Sequence, residues 1–230
     1  MKLKHKAFLL MQDIFIKATS FVTPSIMHNI EKHNVLKKFL FYKEIEGIEG
    51  DYLEFGVYEG TSIKGAAIYW RNIGSKPIKF YGFDSFKGMK PEVGDEHPFY
   101  TKFDFSTEFK EIKKRFLNIP EIKLVPGFFQ DTLKKDPNEY GINKAGIIMM
   151  DCDLYSSSKI AFNFIKRIVI EGTILILDDY FGYKGNKNKG VRAAFQEFIK
   201  ENNVVCEQIS QYGIGGAVFI ITKIRGKRVQ

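Results

Sequence analysis

Four aspartates fall in two short runs, Asp151-Cys152-Asp153 and Asp178-Asp179, each directly after an apolar stretch. Carboxylates packed together repel one another unless protons or a cation neutralise them. If the two apolar stretches are neighbouring strands, Asp151 and the Asp178/Asp179 pair converge at one sheet edge and form an all-oxygen ligand set. Such a set suits Mg2+, with Mn2+ or Ca2+ as alternatives, far better than zinc. Cys152 stands between two alternating carboxylates, so its side chain points away from theirs and reads as a small buried residue. A metal held by Asp151, Asp178 and Asp179 would bind a substrate hydroxyl and lower its pKa. A neighbouring carboxylate would then take the proton. Asp151 and Asp153 are the candidate catalytic residues, with Asp153 in position for the base; the competing reading of Asp153 is a helix cap. His97, in a loop, is the weaker candidate base.

A second constellation lies earlier. Glu54-Phe55-Gly56-Val57-Tyr58-Glu59-Gly60 is an acidic-x-Gly-x-x-x-Gly turn after a short apolar stretch. Gly56 lets the backbone bend and a ligand approach closely. Glu54 is placed to hold the ammonium of a bound amino acid, directly or through water. Thr61 and Ser62 open the next helix, where free N–H groups meet a carboxylate. Asp84, followed by Ser85, ends the next apolar stretch and suits two vicinal ribose hydroxyls. Gly56 and Asp84 alone do not separate NAD from S-adenosylmethionine. Tyr58, however, replaces the second glycine of G-x-G-x-x-G, which argues modestly against a pyrophosphate. In Gly127-Phe128-Phe129-Gln130-Asp131, Phe128 or Phe129 is placed to pack on an adenine, and Gln130 or Asp131 to accept from its amino group. The competing reading makes the two Phe core residues and Asp131 or Thr132 a helix cap.

These residues need a scaffold that brings strand ends together. From residue 50 the chain alternates between apolar strands and helical stretches. The predicted strands are 52–57, 78–83, 122–126, 145–150, 173–177, 204–209 and 217–222. The predicted helices are 61–71, 107–117, 158–170 and 190–201. This pattern implies an α/β, Rossmann-like, mostly parallel seven-stranded sheet with helices on both faces. Such sheets bind ligands beyond the carboxyl ends of their strands, and three of the predicted strands end there in acids. Residues 1–47 read as two helices separated at Pro24 and are expected to cap a main domain of residues 48–230. The polar stretch 87–105 is expected to be a mobile lid.

Composition narrows the class. The 230 residues are 44% hydrophobic and 27% charged, which suits a folded core and not a disordered chain. No stretch reaches the length of about 18 apolar residues that a membrane helix needs, and Asp13 and Lys17 interrupt the N-terminal segment too early for a signal peptide. Membrane insertion is therefore not expected. Two cysteines without a CxxC spacing fit a reducing, cytoplasmic setting. The net charge of +8 is scattered, apart from Lys184, Lys187 and Lys189 in one loop and Arg225, Lys227 and Arg228 near the C-terminus. No nucleic-acid partner is expected. The loop lysines suggest contact with a phosphate on the acceptor.

Together, YLEFGVYEGTS (52–62), YGFDSFKG (81–88), GFFQDTL (127–133), DCDLYS (151–156) and DDY (178–180) resemble the macrocin O-methyltransferase (TylF/MycF-type) family. The resemblance implies a class I methyltransferase fold using S-adenosyl-L-methionine and Mg2+, the metal held by Asp151, Asp178 and Asp179. Glu54 and Asp84 would serve the donor and Asp153 becomes a candidate base. It also implies a homo-oligomer with N-terminal helices shaping the substrate site, and a hydroxyl on a sugar or glycoconjugate as acceptor. Cys152 departs from the usual Gly. The rival readings are an RNA methyltransferase, motivated by charge; an NAD-binding oxidoreductase, motivated by Asp84 and the glycine turn but lacking a Tyr/Lys pair; and a non-catalytic binding protein.

Overall fold

The computed structural model describes residues 2–100 and 105–225, with side chains from His5 onward. Lys227 and Arg228 of the basic C-terminal cluster lie outside the described residues. Seven strands form one sheet: β1 Asp51–Phe55, β2 Phe80–Asp84, β3 Ile122–Pro126, β4 Ala145–Met150, β5 Val169–Leu177, β6 Val204–Tyr212 and β7 Gly216–Ile224. Their order is β3-β2-β1-β4-β5-β7-β6. The first five in that order are parallel, β7 is antiparallel to β5, and β6 to β7. The expected architecture is the one observed.

Burial explains why these segments are strands. Every residue of β4 is buried, as for a parallel strand covered on both faces. Alternation sends Ile147, Met149, Ile174 and Ile176 to one face, where they meet α2 (Pro24–Ile45) and α3 (Thr61–Ile73). Ile148, Met150, Leu175 and Leu177 face the other way, against α6 (Tyr155–Ile165) and α7 (Gly190–Glu201). Edge strand β6 instead exposes Glu207, Gln208 and Gln211, which discourages pairing with another chain. Thr23 caps α2, its hydroxyl accepting from the Ile26 N–H, and Pro24 takes the first helical position, where its missing donor is harmless.

Two expectations are corrected. The predicted helix 158–170 is shifted: α6 starts at Tyr155 and ends at Ile165, and β5 already begins at Val169. The β-branched pair Val169-Ile170 joins the sheet, with Thr173 Oγ1 donating to the Ala145 carbonyl across a register shift. The N-terminal helices also differ from each other. α2 packs Val35, Leu36, Phe39 and Leu40 into the core, but in α1 (Lys2–Ser20) every residue from His5 to Ser20 is exposed. α1 therefore does not cap the sheet.

The strand order reverses between β1 and β4, which makes their carboxyl ends the switch-point crevice of the sheet. The chain is tightest there. The Asp151 N–H donates to Phe55 O at 2.8 Å and the Gly56 N–H to Phe83 O at 3.0 Å. Gly56 has φ +91°, and a Cβ on it would lie 1.8 Å from the Asp151 carbonyl oxygen. Only glycine permits this junction of the two predicted motifs.

Candidate functional site

A cavity of about 660 Å3 opens over the switch point. Gly56, Val57 and Tyr58 of the turn after β1 line one side, with Asp84 and Ser85 of the β2 tip. Phe128, Phe129 and Gln130 close that end. The far end is formed by Asp151, Asp153, Asp178 and Asp179, together with Ser25, His28, Asn29 and Lys32 of α2. His97 and Tyr100 of the lid stretch and Lys184 complete the wall. A wider groove of about 1090 Å3 lies at the opposite sheet edge, among Asp51, Lys79, Glu121 and Lys144. None of the predicted site residues lines it, and the carboxyl edge is where such sheets act.

The donor half is more built than its sequence suggested. The Asp84 carboxylate accepts three backbone N–H bonds, from Val57 at 2.7 Å, Tyr58 at 2.8 Å and Phe86 at 2.7 Å. It thereby fixes the glycine turn, with acceptor capacity left on Oδ1. Ser85 Oγ donates to Gly88 O at 2.9 Å. Glu54 is fully buried and accepts from Tyr52 and Ser62 hydroxyls, both at 2.5 Å. It is absent from the cavity lining and braces the start of α3 from beneath. Gly60 caps α3 at φ +73° with the Phe116 ring packed against it; neither it nor Thr61 lines the cavity. Phe129 is core, edge-on to Phe55 at 5.9 Å. Phe128 is the ring available to an adenine, with Lys90 Nζ 5.6 Å from its centroid. Gln130, not Asp131, faces the cavity; the Asp131 side chain is 75% exposed beside Lys134.

Burial pushes the Glu54 carboxyl up to about 7, against the opposing hydrogen bonds from Ser62 and Tyr52. The folded chain therefore keeps a proton there that the unfolded chain loses above its ordinary value of 4.5. Stability is expected to fall as pH rises from about 4.5 to about 7, by an order of 3 kcal/mol for this group alone. Urea midpoints at about pH 5 and about pH 8 should show that loss in the wild type and a smaller one in Glu54→Gln. Parallel pH profiles would refute this account.

In the acidic half, one oxygen each from Asp151, Asp153 and Asp179 lies within 4.8 Å of the others. Asp178 stands outside this group. Consecutive residues leaving a strand diverge, so Asp179 faces the cavity while Asp178 turns toward α2. There Asp178 accepts from Tyr212 at 2.6 Å, contacts His28 Nε2 at 3.1 Å, and pairs with Lys32 Nζ at 2.6 Å. Lys32 also reaches Asp151 at 2.9 Å. Although burial opposes it, Lys32 and His28 hold Asp178 well below the usual carboxylate range. Burial and the charges of their acidic neighbours push Asp151 and Asp153 well above it. Asp153 sits at φ +59°, a left-handed conformation costly for a non-glycine residue. Cys152 turns into the core, 3.4 Å from Ser158 Oγ. Three carboxylates with mutually close oxygens fit a hard divalent cation.

The lid stretch is pinned in its described part. Asp95, 3% exposed, accepts from the Ser156 N–H and hydroxyl, and its carbonyl accepts from Tyr183 OH at 3.0 Å. Tyr100 hydrogen-bonds Asp179, and its hydroxyl is pushed up by burial and by the Asp179 and Asp153 charges. Of the three loop lysines only Lys184 lines the cavity. His28, Lys32 and Tyr212 were not found in the sequence, because no local motif surrounds them.

This sheet order, with its antiparallel final hairpin and its cavity at the β1/β4 crevice, defines the class I methyltransferase fold. Solved structures agree: the O-methyltransferase NovP superposes with TM-score 0.70 at 20% identity, covering 83% of this chain and 79% of its own. The calicheamicin methyltransferase CalS11 gives 0.67 at 16% identity, covering 91% and 85%. The chain belongs to the macrocin-O-methyltransferase (TylF) family, whose sequence profile matches residues 25–214. It is 27% identical over 176 residues to the 8-demethyl-8-(2,3-dimethoxy-alpha-L-rhamnosyl)-tetracenomycin-C 4'-O-methyltransferase of Streptomyces olivaceus, covering 68% of this chain and 64% of that one. It is also 27% identical to the mycinamicin III 3''-O-methyltransferase of Micromonospora griseorubida, covering 59% and 57%. The chain thus matches under two thirds of the length of these relatives.

Proposed function

We propose that this protein is an S-adenosylmethionine-dependent O-methyltransferase acting on a hydroxyl of a sugar or glycoconjugate. The observation that carries the proposal is the single cavity in which the glycine turn and the acidic cluster meet across the Gly56–Asp151 junction. The relatives named for sugar-hydroxyl methylation support the acceptor class. The donor would lie along Gly56–Tyr58 with its adenine against Phe128. Asp151, Asp153 and Asp179 would hold Mg2+, which when bound supplies charge that lowers the pKa of an acceptor hydroxyl. The acceptor oxygen forms its bond to the methyl carbon as the carbon–sulfur bond breaks, and sulfur leaves as a neutral thioether. The hydroxyl proton passes to Asp153, which lines the same cavity beside Asp151 and Asp179. His97, packed 4.3 Å from Tyr100 and 4.8 Å from Tyr183, is the alternative acceptor of that proton. Lys184 is placed to meet a phosphate on the acceptor; equal turnover of phosphorylated and unphosphorylated acceptors would count against this. A cytoplasmic homo-oligomer is the proposed working form.

Calorimetric titration with S-adenosylhomocysteine, followed by turnover on glycoside acceptors with and without Mg2+, tests the proposal. Micromolar binding is expected, and no binding in either condition would overturn it. Phe128→Ala is expected to weaken that binding about tenfold by removing the aromatic contact, roughly 1.4 kcal/mol. An unchanged affinity would place the adenine elsewhere.

A further inference from the structure

Asp153 occupies a strained turn. The Leu154 N–H donates to Cys152 O at 2.6 Å, which makes Asp153, at φ +59°, the centre of an i to i+2 turn. Such turns with a positive central φ are rare, and their strain persists only where the flanking structure over-determines it. The upstream flank is secured by the end of β4, tied to β1 through the Asp151 N–H. The downstream flank is the start of α6, whose own sequence does not secure it. Leu154 stands at the cap position and has no side chain to accept from the first amides of the helix.

Asp95 supplies that acceptor from 61 residues upstream. It is 3% exposed, and it accepts from the Ser156 N–H through Oδ1 at 3.3 Å and from the Ser156 hydroxyl through Oδ2. Ser156 is the second residue of α6, where a capping side chain finds its N–H. A carboxylate there also meets the positive end of the helix. The Asp95 carbonyl accepts from Tyr183 OH, four residues beyond Asp179, and Tyr100 of the same stretch hydrogen-bonds Asp179 itself. Residues 92–100 thus tie down the chain after both acidic runs. We propose that Asp95 is the positioning residue of Asp153: by capping α6 from the lid stretch it holds the strained turn that sets the Asp153 carboxylate beside Asp151 and Asp179. The proposal rests on the reading of those three acids as the cation seat. With Asp95 as the cap, the Asp153 side chain is left to the cavity.

The test is calorimetric titration of the full chain with Mn2+, together with hydrogen–deuterium exchange over residues 152–158. Asp95→Ala is expected to weaken Mn2+ about tenfold and to speed exchange in that segment. S-adenosylhomocysteine affinity should be unchanged, because the glycine turn and Phe128 lie at the other end of the cavity. Asp95→Asn keeps an oxygen for the Ser156 N–H and is expected to stay within about threefold of the wild type. In an Asp153→Asn background, Asp95→Ala should cost no further Mn2+ affinity, since its effect passes through Asp153. A general loosening of the fold would weaken both backgrounds alike. If Asp95→Ala does not fold, Ser156→Ala, which removes one of the two bonds, should show the same pattern at about threefold. Unchanged Mn2+ affinity or unchanged exchange in Asp95→Ala overturns the proposal, as does an equal loss in the Asp153→Asn background. A wild type that binds S-adenosylhomocysteine but no Mn2+ removes the cation seat and this role for Asp95 with it, while the donor reading stands.

Discussion

Asp151→Asn is expected to lower turnover about a thousandfold, several kcal/mol of transition-state stabilisation, while S-adenosylhomocysteine affinity stays nearly unchanged. Asp151 belongs to two groups at once. One oxygen lies with those of Asp153 and Asp179, and Oδ2 accepts from Lys32 at 2.9 Å. The amide keeps the shape but removes the charge on which the proposed cation seat depends. Direct titration with Mn2+ should show its binding lost in the variant, and single-turnover assays should show the rate lost with it. Asp178→Asn makes the contrast. Asp178 is bound to Tyr212, His28 and Lys32, so its amide variant should retain cation binding better than the Asp151 variant. If the Asp178 variant loses the cation and the Asp151 variant keeps it, the seat is the Asp178 side of the cluster.

Gly56→Ala carries the largest expected cost to the fold. The new Cβ would sit 1.8 Å from the Asp151 carbonyl oxygen and 2.6 Å from its carbon, both backbone atoms that cannot swing aside. The φ of +91° adds strain for any L side chain. A loss of about 3 kcal/mol or more is expected, lowering Tm by roughly 6 to 12 °C in a chain of this size. Gly47→Ala is the control, since its φ is +62° but nothing lies within 4 Å of the added carbon. It should cost only the backbone term, about 1 kcal/mol. Equal melting shifts for the two variants would show that the contact with Asp151 is not what requires glycine at position 56.

The sheet was readable because its strands are short apolar runs ended by acids or turns; β3, β4 and α7 fall where periodicity places them. The α6–β5 boundary was not, because Ile168-Val169-Ile170 continues the helix's apolar pattern and Gly172 comes three residues too late to mark the break. Within the site, the glycine turn and the four aspartates were visible as motifs. That Asp178 turns from Asp179 toward Lys32 and His28 was not, although the alternation that parts Asp178 from Asp179 is itself a sequence-level rule. His28 and Lys32 were invisible for a different reason. They reach Asp178 and Asp151 across 150 and 119 residues of chain, with no spacing that announces a partnership. Glu54 carries a role its motif did not announce: buried and bonded to Tyr52 and Ser62, it braces the start of α3.

α2 has two unequal halves. Its later turns hold Val35, Leu36, Phe39 and Leu40 against the sheet, where almost any change of volume is felt. Its first turns set Ser25 and Asn29 on the cavity wall, beside His28 and Lys32, which contact the acids. Under the proposed function, a lineage carrying this fold can therefore explore new acceptors by drifting at the front of one helix while the rear of the same helix holds the inherited shape.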